Sequence, residues 1–286
     1  MQLGFNLPIS GANSVPRSLA RLAQKGEALG YDYLTLTDHV VLPDVNSPGY
    51  PYSESGEFIA NAPTERHELL TATSFIAAKT SRIRLVLAVL VVPHRPAVLA
   101  AKMLSTIDVL SEGRLVIGIG AGWLKAEFDA VVTTPFAERG AVTDEYLEAF
   151  RALWTQDHAR FDGRYTKFAD LVFLPRPVQQ PHPPIWIGAS GEQRMMPIAA
   201  RYADVWHCFG GTRELSEKSA KLSAMAEAAG RDPSEITRAA SLSLEDDADT
   251  ITSRIEQWDA AGFEYLICGW PAGGREQVEA FASSHL

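Results

Sequence analysis

The sequence predicts an α/β protein, a (β/α)8 TIM barrel with an insertion after its fourth strand. Three observations predict it. Strand and helix signals alternate along the whole chain. The strand candidates are short, nearly continuous apolar runs, as in a parallel sheet buried on both faces. One unit, Arg82 to Trp123, reads as strand, helix, strand and ends in a glycine-rich tip. A parallel pair with a crossover helix brings both strand ends to one edge, where ligands sit in such folds. A doubly wound open sheet is the alternative arrangement of the same alternation.

Leu3 to Leu7 is the first strand. A helix from Pro16, a favoured first-turn residue, to Leu29 follows, and Gly30 stops it. Tyr33 to Thr37 is the second strand. A long polar loop then runs from Asp38 to about Arg66, and loops of that length are usually functional. A helix over His67 to Lys79 leads into the third strand, Ile83 to Val92, which Pro93 and Pro96 end. Leu99, Met103, Ile107 and Leu110 recur at helical spacing, and Gly113 closes that helix. Leu115 to Ile119 is the fourth strand and runs into Gly120-Ala121-Gly122-Trp123.

The insertion, about residues 124–184, carries a helix over Gly140 to Trp154, a hairpin around Phe161 to Tyr165 and a proline-rich connector from Pro175 to Pro184. The alternation then resumes. Strands are expected at Ile185–Ile187, Asp204–Trp206, Ile236–Leu242 and Tyr265–Cys268, with helices over Glu192–Tyr202, Leu215–Ala229, Asp249–Ala261 and Gly274–Ser283. The whole chain, 1–286, is read as one barrel domain.

Composition bounds the function. At 286 residues and 46% hydrophobic content the chain can bury a large core. No apolar run reaches membrane-spanning length, and Met1 to Phe5 shows no signal-peptide pattern, so a cytoplasmic protein is expected. Cys208 and Cys268 are read as buried reduced thiols. A net charge of −9 disfavours nucleic acid as a partner.

Three constellations could carry chemistry. Asp38-His39 follows the second strand directly, on the catalytic rim of a barrel. An imidazole there can give or take a proton near neutral pH, and a neighbouring carboxylate could tune it or bind substrate. The plainer reading is a turn cap beside a surface histidine, and placement before a long loop favours the functional one. Gly120-Ala121-Gly122 would let a planar ligand approach backbone closely, although the spacing is not the dinucleotide fingerprint. Gly188-Ala189-Ser190-Gly191 joins the fifth strand to a helix, with free amides and a hydroxyl suited to phosphate; a simple Ser N-cap explains it equally well. His67-Glu68 lacks a second histidine for a zinc helix. His94, His158, His182 and His207 do not have ligand spacing, and no metal site is expected.

Taken together, Thr37-Asp38-His39, Arg82-Ile83-Arg84-Leu85 through Pro96, Ser111-Glu112-Gly113-Arg114-Leu115 through Trp123, and Pro184-Ile185-Trp186-Ile187-Gly188 through Trp206 resemble the luciferase-like family of flavin- and coenzyme F420-dependent oxidoreductases. The Asp-His pair is most similar to the F420-using, actinobacterial branch and leaves FMN open. The resemblance implies a barrel with an insertion and a non-proline cis peptide, here Ala88-Val89, bulging against the cofactor ring. It implies that Gly120, Ala121 and Gly122 line the ring edge and that Ala189, Ser190 and Gly191 take the phosphate. It makes His39 the acid/base and Asp38 a contact to cofactor or substrate. It further implies a small-molecule substrate and a homodimer.

The chain departs from the family's sugar-phosphate dehydrogenases. It lacks their tryptophan after the Asp-His pair, and it has Trp123 where they carry a glutamate, so sugar oxidation is not implied and a more apolar pocket is. An FMN-dependent monooxygenase using reduced flavin and O2 and a non-catalytic F420- or flavin-binding protein stand as alternatives. A metal-free barrel hydrolase is more distant, since no paired rim carboxylates are evident.

Overall fold

The computed structural model describes residues 1–43, 47–48, 57–58, 65–188 and 190–286. Among these, eight parallel strands close into a barrel: β1 (Gln2–Asn6), β2 (Tyr33–Leu36), β3 (Arg84–Leu87), β4 (Leu115–Gly120), β5 (Ile185–Gly188), β6 (Val205–His207), β7 (Thr237–Leu242) and β8 (Tyr265–Cys268). Each strand pairs in parallel with the next, and β8 pairs with β1. The β4–β5 pairing, Ile117 opposite Ile185, rules out the open sheet.

The helices are α1 (Pro16–Leu29), α2 (Leu69–Ala77), α3 (Ala97–Leu110), α4 (Lys125–Val131), α5 (Arg139–Thr155), α6 (Met195–Tyr202), α7 (Thr212–Ala228), α8 (Ala248–Ala260) and α9 (Gly274–His285). Gly30, Gly113 and Gly262 all follow helices with positive φ, at 97°, 78° and 79°. Only glycine adopts that backbone without penalty, so these residues end the helices as the sequence predicts.

The core has two parts. A large cluster lies between strands and helices and includes Leu34, Leu85, Leu104, Phe150 and Trp154. A smaller one, with Tyr33, Val86, Val116, Trp186, Val205 and Ala239, fills the inside of the barrel. There Trp186 meets Tyr33 and Tyr265 edge to face, with ring centroids 5.5 and 5.0 Å apart. This plug closes the lower barrel and leaves the strand C-termini as its open end.

Two expectations need correction. The run from Ile83 to Val92 is not one strand. β3 ends at Leu87, the Ala88–Val89 peptide is cis, and Leu90–Val91 rejoins the sheet beside β4. Likewise α6 starts at Met195 and not at Glu192; residues 192–194 form turns ahead of it.

The segment between β4 and β5 is also more than an insertion. It contains α4, α5 and a hairpin of Ala159–Asp162 with Lys167–Leu171. α5 packs on α3, and Arg201 and Tyr202 of α6 bond Asp144 and Glu148 on it. α5 is therefore the barrel helix of this unit, while α4 and the hairpin are the additions.

Candidate active site

A cavity of about 920 Å³ opens at the C-terminal ends of the strands. Residues after every strand from β2 onward contribute to its wall, among them Asp38, His39, Ala88, Val89, Gly120, Ala121, Gly122, Ser190 and Gly191. The site residues expected from sequence are thus brought together. Ala189 lies outside the described residues.

Val89 explains two of the glycines. A Cβ at Gly188 would stand 2.9 Å from one Val89 methyl, and a Cβ at Gly120 would collide with the other. The bulged valine sits between bare backbone on β4 and β5. Gly122 has φ 87°, which turns the chain outward at the tip of β4.

Asp38 and His39 are neighbours in sequence with separate tasks. Asp38 is buried. Its Oδ2 accepts from Arg95 Nη1 at 2.8 Å and from the Val91 amide at 3.0 Å, and its Oδ1 accepts from Arg95 Nη2 at 2.9 Å. Arg95 Nη2 also reaches Glu68 at 2.5 Å. Burial pulls the Arg95 pKa down, but the two carboxylates outweigh it and hold it above the ordinary value. Asp38 is therefore tied to the segment after the cis peptide and does not bond His39.

The partner of His39 is Glu127, on α4. His39 Nδ1 lies 2.8 Å from Glu127 Oε2, and Oε1 accepts from the amides of Val40 and Val41 at 2.5 and 3.2 Å. Burial pushes the Glu127 carboxyl up. The hydrogen bond and charge of His39, with the Val40 amide, overcome this and hold it below the usual carboxylate range. A carboxylate at Nδ1 favours the tautomer with the proton on that nitrogen, which leaves Nε2 as the nitrogen with a free lone pair in the neutral ring. Trp123 stands beside this pair, its ring centroid 6.5 Å from that of His39.

Two further histidines reach the cavity. His207 Nε2 lies 3.0 Å from Ser241 Oγ, and burial pushes its pKa down to about 4, so it is neutral at physiological pH. His94 is also pushed down, first by burial; the nearby Asp38 and Glu127 offset this only in part. Among the described residues no cluster of three or more His, Cys, Asp or Glu could hold a metal ion. Ser190 bonds the Cys208 thiol, and both cysteines are free and buried.

Sequence reasoning missed Glu127, Arg95 and Arg139, and it weighed His94 and His207 only as metal ligands. Glu127 had one signal: it falls one helical turn beyond Trp123, where the resemblance leaves a carboxylate wanting. Nothing in the sequence pairs it with a histidine 88 positions earlier.

The fold and site define a parallel-barrel protein whose mouth suits a flat organic ligand: bare glycine backbone, a bulged dipeptide and a histidine–carboxylate pair. The model of the luciferase-like monooxygenase family matches residues 1–265, and the chain belongs to that family. It is 32% identical over 288 residues to Uncharacterized protein Rv0953c of Mycobacterium tuberculosis, covering 98% of this chain and 96% of the relative. It is 36% identical over 149 residues to the FMNH(2)-dependent dimethylsulfone monooxygenase of Pseudomonas putida, covering 51% of this chain and 40% of that protein. Among solved structures, an F420-dependent secondary alcohol dehydrogenase in complex with an F420-acetone adduct superposes with a TM-score of 0.80 at 16% identity, covering 99% of this chain and 97% of the other. That likeness shows the barrel fold. No described helix is long and apolar enough to cross a membrane.

Proposed function

We propose that this protein is a coenzyme F420-dependent oxidoreductase acting on a small organic substrate, with His39 as its proton partner. The observation that carries this reading is the His39–Glu127 pair, set in the cavity beside Ala88-Val89 and the Gly120-Ala121-Gly122 tip. A cavity of about 920 Å³ suits a cofactor and a small substrate together. The bulged Val89 offers an apolar support for one ring face, and the glycine tip admits a ring edge. Bound deazaflavin would supply the hydride acceptor or donor.

The chain's own residues then have defined roles. In the oxidative direction His39 Nε2 takes the hydroxyl proton as the carbinol hydride leaves; in reverse it returns that proton to the oxygen. Glu127 holds the ring and compensates the imidazolium charge. Asp38, through Arg95, holds the segment after the bulge in place. Trp123 and Phe209 give the substrate side an apolar wall. On this reading the molecule is a cytoplasmic homodimer and each chain works as one barrel domain.

A His39→Ala variant should bind cofactor as the wild type does and lose about 10²- to 10⁴-fold in turnover. Unchanged turnover would remove the role of His39. The second reading, an FMN-dependent monooxygenase, is favoured by the similarity to the dimethylsulfone monooxygenase. Parallel fluorescence titrations with F420 and FMN, oxidised and reduced, separate the two. Preference for F420 supports the first reading. Preference for reduced FMN with O2 uptake supports the second, and cofactor binding with no redox exchange across a substrate panel supports a non-catalytic carrier.

A further inference from the structure

Beneath the aromatic plug lies a second cavity, of about 470 Å³, at the N-terminal ends of the strands. That volume falls in the range of small-molecule sites, roughly 300–1,000 Å³. Gln2, Tyr33, Arg84, Thr237 and Tyr265, the first residues of β1, β2, β3, β7 and β8, line it. Val86 and Trp186 line both this cavity and the mouth, so one layer of side chains divides the two.

Two of its polar groups are buried with nothing to bond. The Tyr33 side chain is buried, at 1% exposure, and its hydroxyl has no partner. Burial pushes its pKa up, so the hydroxyl keeps a proton to donate. Arg84 stands directly beside Tyr33 in the β2–β3 register, and its Nε is also buried and unpaired. Among the described residues the guanidinium makes one long bond, Nη2 to Gln179 Oε1 at 3.4 Å, and no ion pair. Stranded buried donors are costly, so this adjacent pair marks a place for an acceptor supplied by a ligand.

Across the ring the chemistry reverses. Asp204, directly before β6, accepts from the Ile185 amide with Oδ2 at 2.7 Å and keeps Oδ1. Glu235 also lines the cavity, but its Oε2 is held by Arg231 Nε at 3.0 Å. His182 Nδ1 bonds the Pro183 carbonyl at 2.9 Å, which leaves the Nε2 lone pair. The cavity therefore sets one unneutralised cation, at β3, against one unneutralised carboxylate three strands away, at β6.

We propose that this base cavity binds a small zwitterion of the amino-acid class, with its carboxylate on Arg84 and the Tyr33 hydroxyl and its ammonium toward Asp204 and His182. A carboxylate accepts charge-assisted bonds from a guanidinium fork and a phenol together. None of these four residues belongs to the mouth.

The test is isothermal titration calorimetry of the full chain. Glycine and 4-aminobutyrate are the zwitterionic probes, and butyrate and butylamine are the single-charge controls. The wild type should bind one of the zwitterions at least about tenfold more tightly than either control. Tyr33→Phe removes a hydroxyl that bonds nothing in the empty protein, so Tm should hold while zwitterion affinity falls about three- to tenfold. Arg84→Gln should cut that affinity at least about tenfold, and Arg84→Lys should keep part of it. Binding of neither zwitterion, or equal binding of butyrate, overturns the proposal. Unchanged affinity in Tyr33→Phe and Arg84→Gln overturns it as well, because the probe then sits elsewhere. Each of these failures leaves the reading of the mouth standing.

Discussion

At the scale of single residues, Glu127 carries more of the site than any group except His39. One carboxylate accepts from the imidazole with one oxygen and from two successive amides with the other. It therefore sets both the histidine tautomer and the path of the chain leaving β2. Glu127→Gln is nearly isosteric and separates these tasks. The amide oxygen can still accept from Val40 and Val41, while the NH2 must face Nδ1 and donate to it. The ring proton should then move to Nε2, the wrong nitrogen for accepting a proton from an alcohol. We expect kcat to fall at least about 10²-fold with KM little changed. Nitrogen-15 NMR of the histidine should report the tautomer exchange. A fall in kcat with the wild-type tautomer retained would assign Glu127 a structural task only.

At the scale of elements, the third and fourth strands decide the geometry of the mouth. A Cβ at Gly118 would collide with the Leu87 carbonyl oxygen, a backbone atom directly before the bulge. Gly118→Ala should therefore destabilise the protein by about 2 kcal/mol, read as a lower urea midpoint at constant m, and should also weaken cofactor binding. A wild-type midpoint would show that β3 can move aside. The element order was legible because apolar runs, helical spacing and stop glycines agree: α1 and β8 have the predicted bounds, and Gly30, Gly113 and Gly262 end helices as expected. What was not legible depends on contacts far apart in sequence. The run Ile83–Val92 has no composition break at Ala88, so only the resemblance marks the bulge there. The helix start at Met195 is hidden because Glu192 to Arg194 are all acceptable helix formers. The tie from Asp38 to Arg95, 57 positions away, drew the carboxylate off the histidine next to it, and periodicity cannot report such a choice.

At the scale of the whole molecule, the shifted carboxylates and buried histidines share one direction, downward. Glu27 accepts from the amides of Ser81, Arg82 and Ile83; burial raises its pKa, and these bonds together outweigh it and bring it down to about 2. Glu68 and Glu127 are also held low. A carboxylate lowered from 4.5 adds stability above that pH and loses it as the pH falls toward 2. His207 acts the same way from higher pH: the unfolded chain takes a proton near 6.5, and the folded one resists it until about 4. The urea midpoint should therefore be level around pH 7, decline between pH 6.5 and 4, and drop faster below 4.5. His207→Asn should shrink the first decline, leaving the part owed to His94, and spare the second. A midpoint level from pH 7 to 5 in the wild type would contradict this account.

The fastenings of the barrel lie away from its mouth. Glu27 clasps the start of β3 from below, and Arg114 bonds the carbonyls of Ala77, Thr80 and Ile83 at the same end. Substrate preference and thermal robustness are thus written in different stretches of the chain. Mutational libraries restricted to the tips after β6 and β7 can search for new substrates without loosening the frame, and reinforcement of the base can precede that search.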